Sequence, residues 1–273
     1  MFSKIIGHQV EERARSPLIW NYLFNALNID SVMKRQNVKQ AELSAEISNF
    51  LNTPDYQSIL LAAPLKESAV RILSQHGMDV SKNLQSINLI YKTFDGVCAT
   101  STDGYGALES IGKMQEKSTY LILGYGGTSK SILNALLDSM NYSRIFIATR
   151  KSNLRKIEER HIQFLEYNEI YKYVGEVDVI INATTLGNSD NLDKSPINQE
   201  IFSQVRLQTK LLDVNYTESG STPFLSHAKD FGINGIDGKL MNLMQAIYAF
   251  KLCHPKISRT LVELVDIWET QNV

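Results

Sequence analysis

The sequence predicts an α/β protein built of two units, a mixed α/β unit followed by a doubly wound one. Three observations carry that reading. Apolar runs of strand length alternate with segments of helical periodicity almost from end to end, as parallel sheets joined by helices require. The stretch "YLILGYGGTSKS" (120–131) sets a glycine-rich turn directly between an apolar run and a helical pattern. At 273 residues, the chain exceeds the size at which single cores usually split.

In the first unit, strands are expected near 3–7, 31–35, 57–63, 86–91 and 96–100, with helices over 17–27, 41–51 and 66–75. Ser16-Pro17 is a good helix start, since a serine hydroxyl can accept from an orphan amide and proline at the first helical position loses nothing. The run "SILLAA" (58–63) is continuously apolar, as a strand buried on both faces would be, and Pro64 stops the ladder because it has no N–H. Asp95-Gly96 signals a hairpin between the last two strands, hence an antiparallel edge pair. A linking helix over 105–114 then leads to strands near 119–123, 144–149, 178–184, 210–215 and 233–236, with a helix over 128–139. Final helices over 240–252 and 258–269 pack back on the first unit. The expected domains are residues 1–103 plus 239–273, an N-terminal mixed α/β substrate and catalytic domain, and 104–238, a Rossmann-type doubly wound dinucleotide-binding domain, with a cleft between them.

A composition 43% hydrophobic and 21% charged is that of an ordinary globular protein, and the net charge of -1 is spread without basic blocks. No nucleic-acid or membrane partner is implied, and a monomer or homodimer is expected. The start "MFSKIIGHQV" lacks a long apolar segment and a small-residue cleavage site, so a cytoplasmic protein is expected. Cys98 and Cys253 give neither a disulfide framework nor metal-ligand spacing, and no metal is expected.

Within the glycine-rich turn, Gly124 suits the tight bend and Gly126 lets the backbone approach a pyrophosphate. Gly127 and Thr128 open the helix whose N-terminal amides would face that anion. Ser129 stands where a third glycine or alanine is usual, still small enough for close helix packing. The next strand ends in Thr149, Arg150 and Lys151, with Arg155 one turn on, where an acidic residue would hold an NAD ribose. A basic pair there suits a 2′-phosphate and points to NADP(H).

The turn "LAAPLKESA" (61–69) puts Lys66 at the carboxyl end of a parallel strand, where such sheets open their ligand crevice. Asp103, in "ATSTDGYGAL" (99–108), lies where the chain leaves the first unit. A lysine paired with an aspartate can move a proton on and off an alcohol oxygen during hydride transfer. The carboxylate favours charged lysine and burial favours neutral lysine, and the sequence leaves that balance open.

At this point the chain resembles the shikimate dehydrogenase family over nearly its whole length. The resemblance rests on "RARSPLIWN" (13–21), Pro64 with Lys66, "QSINL" (85–89), "STDG" (101–104), "GYGGTS" (124–129), "TRK" (149–151), "DVIINATTLG" (178–187), "DVNYTESGSTPFL" (213–225) and "DGKLMNLMQAIYAF" (237–250), in that order. It implies Lys66 and Asp103 as the catalytic pair, and Ser16, Asn88, Tyr216 and Gln245 facing the substrate. Thr184, Gly238 and Met241 would lie near the nicotinamide.

The departures from the family pattern fall on the polyol-binding side: Ala14, Leu60, Ala62, Leu89 and Ser101 stand where the family has serine, asparagine, threonine, threonine and asparagine. Each lost neutral hydrogen bond would forfeit about 0.5–1.5 kcal/mol of binding. Arg13 or Arg15 is a candidate partner for a substrate carboxylate. The leading expectation is an NADP(H)-dependent oxidoreductase interconverting an alcohol and a ketone on a small cyclic hydroxy acid, shikimate or a related compound. A non-catalytic NADP(H)- or metabolite-binding sensor is the alternative, disfavoured by retention of the Lys66 and Asp103 pair. A different two-domain Rossmann enzyme is a third reading, disfavoured by the ordered Asp103, Tyr216 and Gln245 motifs.

Overall fold

The computed structural model describes residues 1–78, 84–140, 142–150, 161–188, 190–217 and 220–270. Two compact units divide the chain, one of residues 1–106 with 242–273 and the other of residues 107–241.

Unit one is built on a five-stranded sheet of β1 (Phe2–Gly7), β2 (Val32–Asn37), β3 (Tyr56–Leu61), β4 (Leu89–Thr93) and β5 (Gly96–Thr100), in the order β2-β1-β3-β4-β5. The first three strands are parallel, and β4 and β5 add antiparallel at one side through the hairpin at Asp95-Gly96. Ile59, Leu60 and Leu61 of β3 are all buried, which is why this strand reads as a continuous apolar run. Leu60, with Ile5, Met33 and Leu89, packs under Trp20, Phe24, Ile247 and Phe250 of α2 (Ser16–Ala26) and α8 (Gly238–Cys253). Trp20 Nε1 donates to the Ala246 carbonyl at 2.9 Å and so fixes α2 on α8. The opposite face packs Ile6, Ile59, Leu61 and Ile90 against α3 (Leu43–Asn52) and α4 (Lys66–Gln75). A short helix α1 (Val10–Arg13) follows β1, and α9 (Leu261–Glu269) adds Leu264 to the Trp20 side.

Unit two holds a parallel sheet of β6 (Ser118–Leu123), β7 (Tyr142–Ala148), β8 (Ile162–Leu165), β9 (Val179–Asn182), β10 (Lys210–Asp213) and β11 (Gly235–Ile236). Its order is β11-β10-β9-β6-β7-β8, which counted within the unit is the 3-2-1-4-5-6 arrangement of doubly wound dinucleotide folds. Alternate residues of β6 feed separate cores, Leu121 and Leu123 on one face, Tyr120 and Ile122 on the other. Helix α5 (Asp103–Ile111) precedes β6, and α6 (Gly127–Ser139) follows it.

The structure corrects the sequence reading in several places. The third strand of the unit-two sheet, β8, and helix α7 (Pro223–Asp230) were not expected. β8 has only four residues and is followed by a 3-10 turn at Tyr167–Lys172 in place of an α-helix, so neither period stands out. The strand expected near 86–91 begins only at Leu89, and the linking helix begins at Asp103 and ends by Gly112, whose φ of +70° turns the chain out of the helix. Cys98 is exposed on β5, and burial pushes the Cys253 thiol up to about 12. No helix is long and apolar enough to cross a membrane among the described residues, which also hold no cluster able to bind a metal.

Candidate active site

Unit one gathers a chain of polar side chains at the carboxyl end of β3. Lys66 is the first residue of α4, and Asp103 the first of α5. Their side chains are only 16% and 6% exposed and form an ion pair, Lys66 Nζ donating to Asp103 Oδ2. The positive end of α5 favours the carboxylate, while that of α4 opposes an ammonium, by about 0.3–1 kcal/mol each. The carboxylate therefore gives Lys66 the counter-charge that its own helix withholds.

Asn88 donates from Nδ2 to Asp103 Oδ1 at 2.8 Å and accepts at Oδ1 from the Thr102 backbone amide, also at 2.8 Å. Its own backbone is fixed on both sides, the amide donating to Thr100 O and the carbonyl accepting from Leu61. Gln245, on α8, accepts from Asn88 Nδ2 at 3.2 Å and turns its Nε2 to the Asn242 carbonyl at 2.9 Å and Ser16 Oγ at 3.5 Å. Ser16, Asn88, Asp103 and Gln245 are all buried. Five residues expected at the site thus form one connected network, in which both oxygens of the carboxylate are held.

Thr102 belongs to the same network and was missed as a site residue. It is fully buried, and its hydroxyl lies between Asn88 and Gln245. The signal was its place immediately before Asp103. Leu60 and Leu89, 2% and 0% exposed, are core residues beside Trp20 and Phe250. Ala14 and Ala62 are only partly buried at the edge of that cluster. The Ala14 carbonyl accepts from Arg35 Nε at 3.2 Å and Nη2 at 2.9 Å, which pins the turn before Ser16.

Unit two carries a cleft of about 850 Å³ at the carboxyl ends of its strands, lined by Gly124, Gly126, Thr149, Arg150, Tyr167 and Thr184 among others. Gly124 has a φ of +94°, and a Cβ there would come 3.0 Å from Thr184 Cγ2. Gly126 precedes the first turn of α6, and a Cβ on it would meet nothing within 4 Å. The glycine thus leaves open the space that an anion approaching the helix amides would occupy. Buried Ser129 donates from its hydroxyl to Gly124 O at 2.8 Å and closes the turn. Gly127 opens α6, with Thr128 half-buried beside it. Thr149 is buried and Arg150 exposed just past β7, whereas Lys151 and Arg155 lie outside the described residues. Tyr167, not foreseen, also faces the cleft; burial pushes its phenol up from the ordinary value, against the Arg150 guanidinium and the Gly124 backbone.

The carboxyl ends of β9 and β10 place the remaining expected residues. Tyr216 is half-buried beyond β10, in unit two. Gly238 is required by close approach, since a Cβ there would lie 2.1 Å from the Val214 carbonyl oxygen. Met241 is 5% exposed and packs in the core with Ile122 and Leu212.

No family model matches the chain. Curated relatives match it nearly end to end: a shikimate dehydrogenase (NADP+) of Pelagibacter ubique is 27% identical over 96% of this chain and 98% of its own, and one of Bartonella quintana 26% identical over 90% and 85%. The chain is thus similar to shikimate dehydrogenases over nearly its whole length, at low identity. Solved structures agree in fold. Shikimate dehydrogenase 1 of Peptoclostridium difficile superposes with a TM-score of 0.82 at 24% identity, covering 98% of this chain and 97% of that one. The Thermus thermophilus shikimate 5-dehydrogenase, solved in complex with NADP(H) and shikimate, gives 0.79 at 20% identity over 98% of both chains.

Proposed function

We propose that the chain is an NADP(H)-dependent oxidoreductase of the shikimate dehydrogenase type, acting reversibly on a hydroxyl or keto group of a small cyclic hydroxy acid. The single observation that carries this reading is the Lys66–Asp103 ion pair, held on its far side by Asn88. The nicotinamide, when bound, accepts or delivers the hydride. The oxygen of the reacting group must exchange a proton in the same event, and the Lys66 and Asp103 pair is the acid/base for that transfer. Asn88, Gln245 and Ser16 present amide and hydroxyl groups able to orient the remaining ring hydroxyls, and the Tyr216 phenol is a further candidate substrate group.

The cleft of unit two fits the cofactor: open space at Gly126, the positive end of α6 for the pyrophosphate, and Arg150 for the 2′-phosphate. Thr149 and Lys151 would complete that clamp, and Thr184, Gly238 and Met241 would support the nicotinamide half. Arg13 or Arg15 supplies the guanidinium for the substrate carboxylate. Unchanged substrate affinity after replacing both would reject that role.

The test is NADP+ reduction by the purified protein with shikimate, quinate and related hydroxy acids, beside Lys66→Ala and Asp103→Asn. Turnover that collapses in both variants supports the reading. Intact cofactor binding with no turnover of any panel member favours the sensor.

A further inference from the structure

Four polar side chains in unit two do something that the cofactor and substrate contacts leave unexplained. Asp213, at the end of β10, is fully buried and accepts four hydrogen bonds: from Thr222 Oγ1 at 2.6 Å, Asn182 Nδ2 at 2.9 Å, and the backbone and side-chain nitrogens of Asn215, each at 3.0 Å. The Asn215 amide does not stop at that carboxylate. It also donates to the carbonyls of Thr184 at 2.9 Å and Leu186 at 3.1 Å. Asn182 holds the same loop from its other side, accepting from the Thr184 amide at 3.0 Å and hydroxyl at 2.7 Å. The loop after β9 is thus clamped between two asparagines, both anchored on one buried aspartate. Asn215 is also the residue whose carbonyl accepts from the Gly238 amide, at 3.0 Å.

The topology says which part of a dinucleotide this loop would face. The strand order reverses between β6 and β9, which run parallel, with the glycine turn on β6 and Arg150 on the β7 side. A dinucleotide with its pyrophosphate on α6 and its adenosine over β7 must lay its other half over the ends of β9 and β10. We propose that Asn215 is a positioning residue for the nicotinamide half of the cofactor, acting through the 184–186 carbonyls and touching no ligand itself. Resting on the cofactor reading above, this assigns a role to a side chain that neither the glycine turn nor the acid/base pair requires. Burial pushes the Asp213 carboxyl up, against the donors of Thr222, Asn215 and Asn182, so removing a donor leaves the anchor under-satisfied and frees the loop.

The experiment compares Asn215→Ala and Asn215→Asp with the wild type, using NADPH and 2′,5′-ADP as probes. The second probe carries the adenosine and 2′-phosphate but no nicotinamide. The expected result is a loss of about tenfold in NADPH affinity, with loss of the bound-state change in nicotinamide fluorescence, and 2′,5′-ADP affinity kept within about twofold. Equal weakening of both probes, or no change in either, overturns the proposal. Failure of both variants to fold overturns it too, since the residue would then serve stability alone. A wild type that binds neither probe sinks the cofactor reading first, and this one with it.

Discussion

Asn88 and Asp103 share a hydrogen bond of 2.8 Å, and through it the carboxylate is held at one oxygen by an amide and at the other by the Lys66 ammonium. A carboxylate fixed in this way has one orientation, so the ion pair has one geometry. The ammonium, its side chain 16% exposed, is the member of the pair left more open to solvent.

Truncating Lys66 should be costly in two ways. Lys66→Ala removes the proposed acid/base group and is expected to lower turnover by ~10²–10⁴-fold. It also leaves the buried Asp103 charge without its cation, for a loss of about 3–5 kcal/mol in urea unfolding. Asp103→Asn, which keeps the shape, should lose comparable activity. A Lys66→Ala protein with unaltered turnover would remove the pair from the mechanism.

Thr102→Val tests the residue that the sequence reading passed over. The methyl replaces a hydroxyl that accepts from Asn88 Nδ2 at 2.9 Å and lies 3.4 Å from Gln245 Oε1. The expected cost is about 1 kcal/mol of stability, with KM for the proposed hydroxy-acid substrate raised more than kcat is lowered. A larger fall in kcat than rise in KM would place Thr102 nearer the chemistry than the structure does.

Two glycines of one turn should respond differently to the same change. Gly124→Ala meets a positive φ and the Thr184 methyl, and should destabilise by about 1–2 kcal/mol. Gly126→Ala meets no protein atom and has φ of −104°, so thermal unfolding should be unmoved while NADPH affinity falls by about tenfold. Equal effects on melting would show that the space at Gly126 is not reserved for a ligand.

The last helix carries a pH signature. The Thr260 amide, Arg259 guanidinium and Thr260 hydroxyl all donate to Glu263 and hold its carboxyl down at about 2, from 4.5. A depressed native value means that the stabilisation is present above about 4.5 and is lost as pH falls through about 2. In Glu263→Gln that window should flatten, so the stability gap between wild type and variant closes on acidification. A gap constant across the window would mean that the capping box does not form in solution.

Much of the fold was legible because punctuation and pattern agreed. Asp95-Gly96 marked the hairpin, and the glycine turn sat between a run and a helix that both formed. What was not legible has a common physical cause. Leu60 lies in a strand buried on both faces, so its neighbours show no alternation from which to tell which residues face the Trp20 core. β8 was too short to show a period. Lys66 and Asp103 could be named from the order of motifs, but their joint dependence on Asn88 and Thr102 needed coordinates: 14 residues separate Asn88 from Thr102, and only the pairing of β4 with β5 brings them together.

The Ser129 hydroxyl bond to Gly124 bears on the thermodynamics of any anion that binds there. A loose glycine loop would have to be ordered by its ligand, at a cost of about 1–2 kcal/mol of backbone entropy for each residue fixed. Here part of that order is built into the protein, because the Ser129 hydroxyl staples the first glycine. Association at this turn should therefore show less of the unfavourable entropy that accompanies coupled folding, and its affinity should report the electrostatics of the helix end more directly.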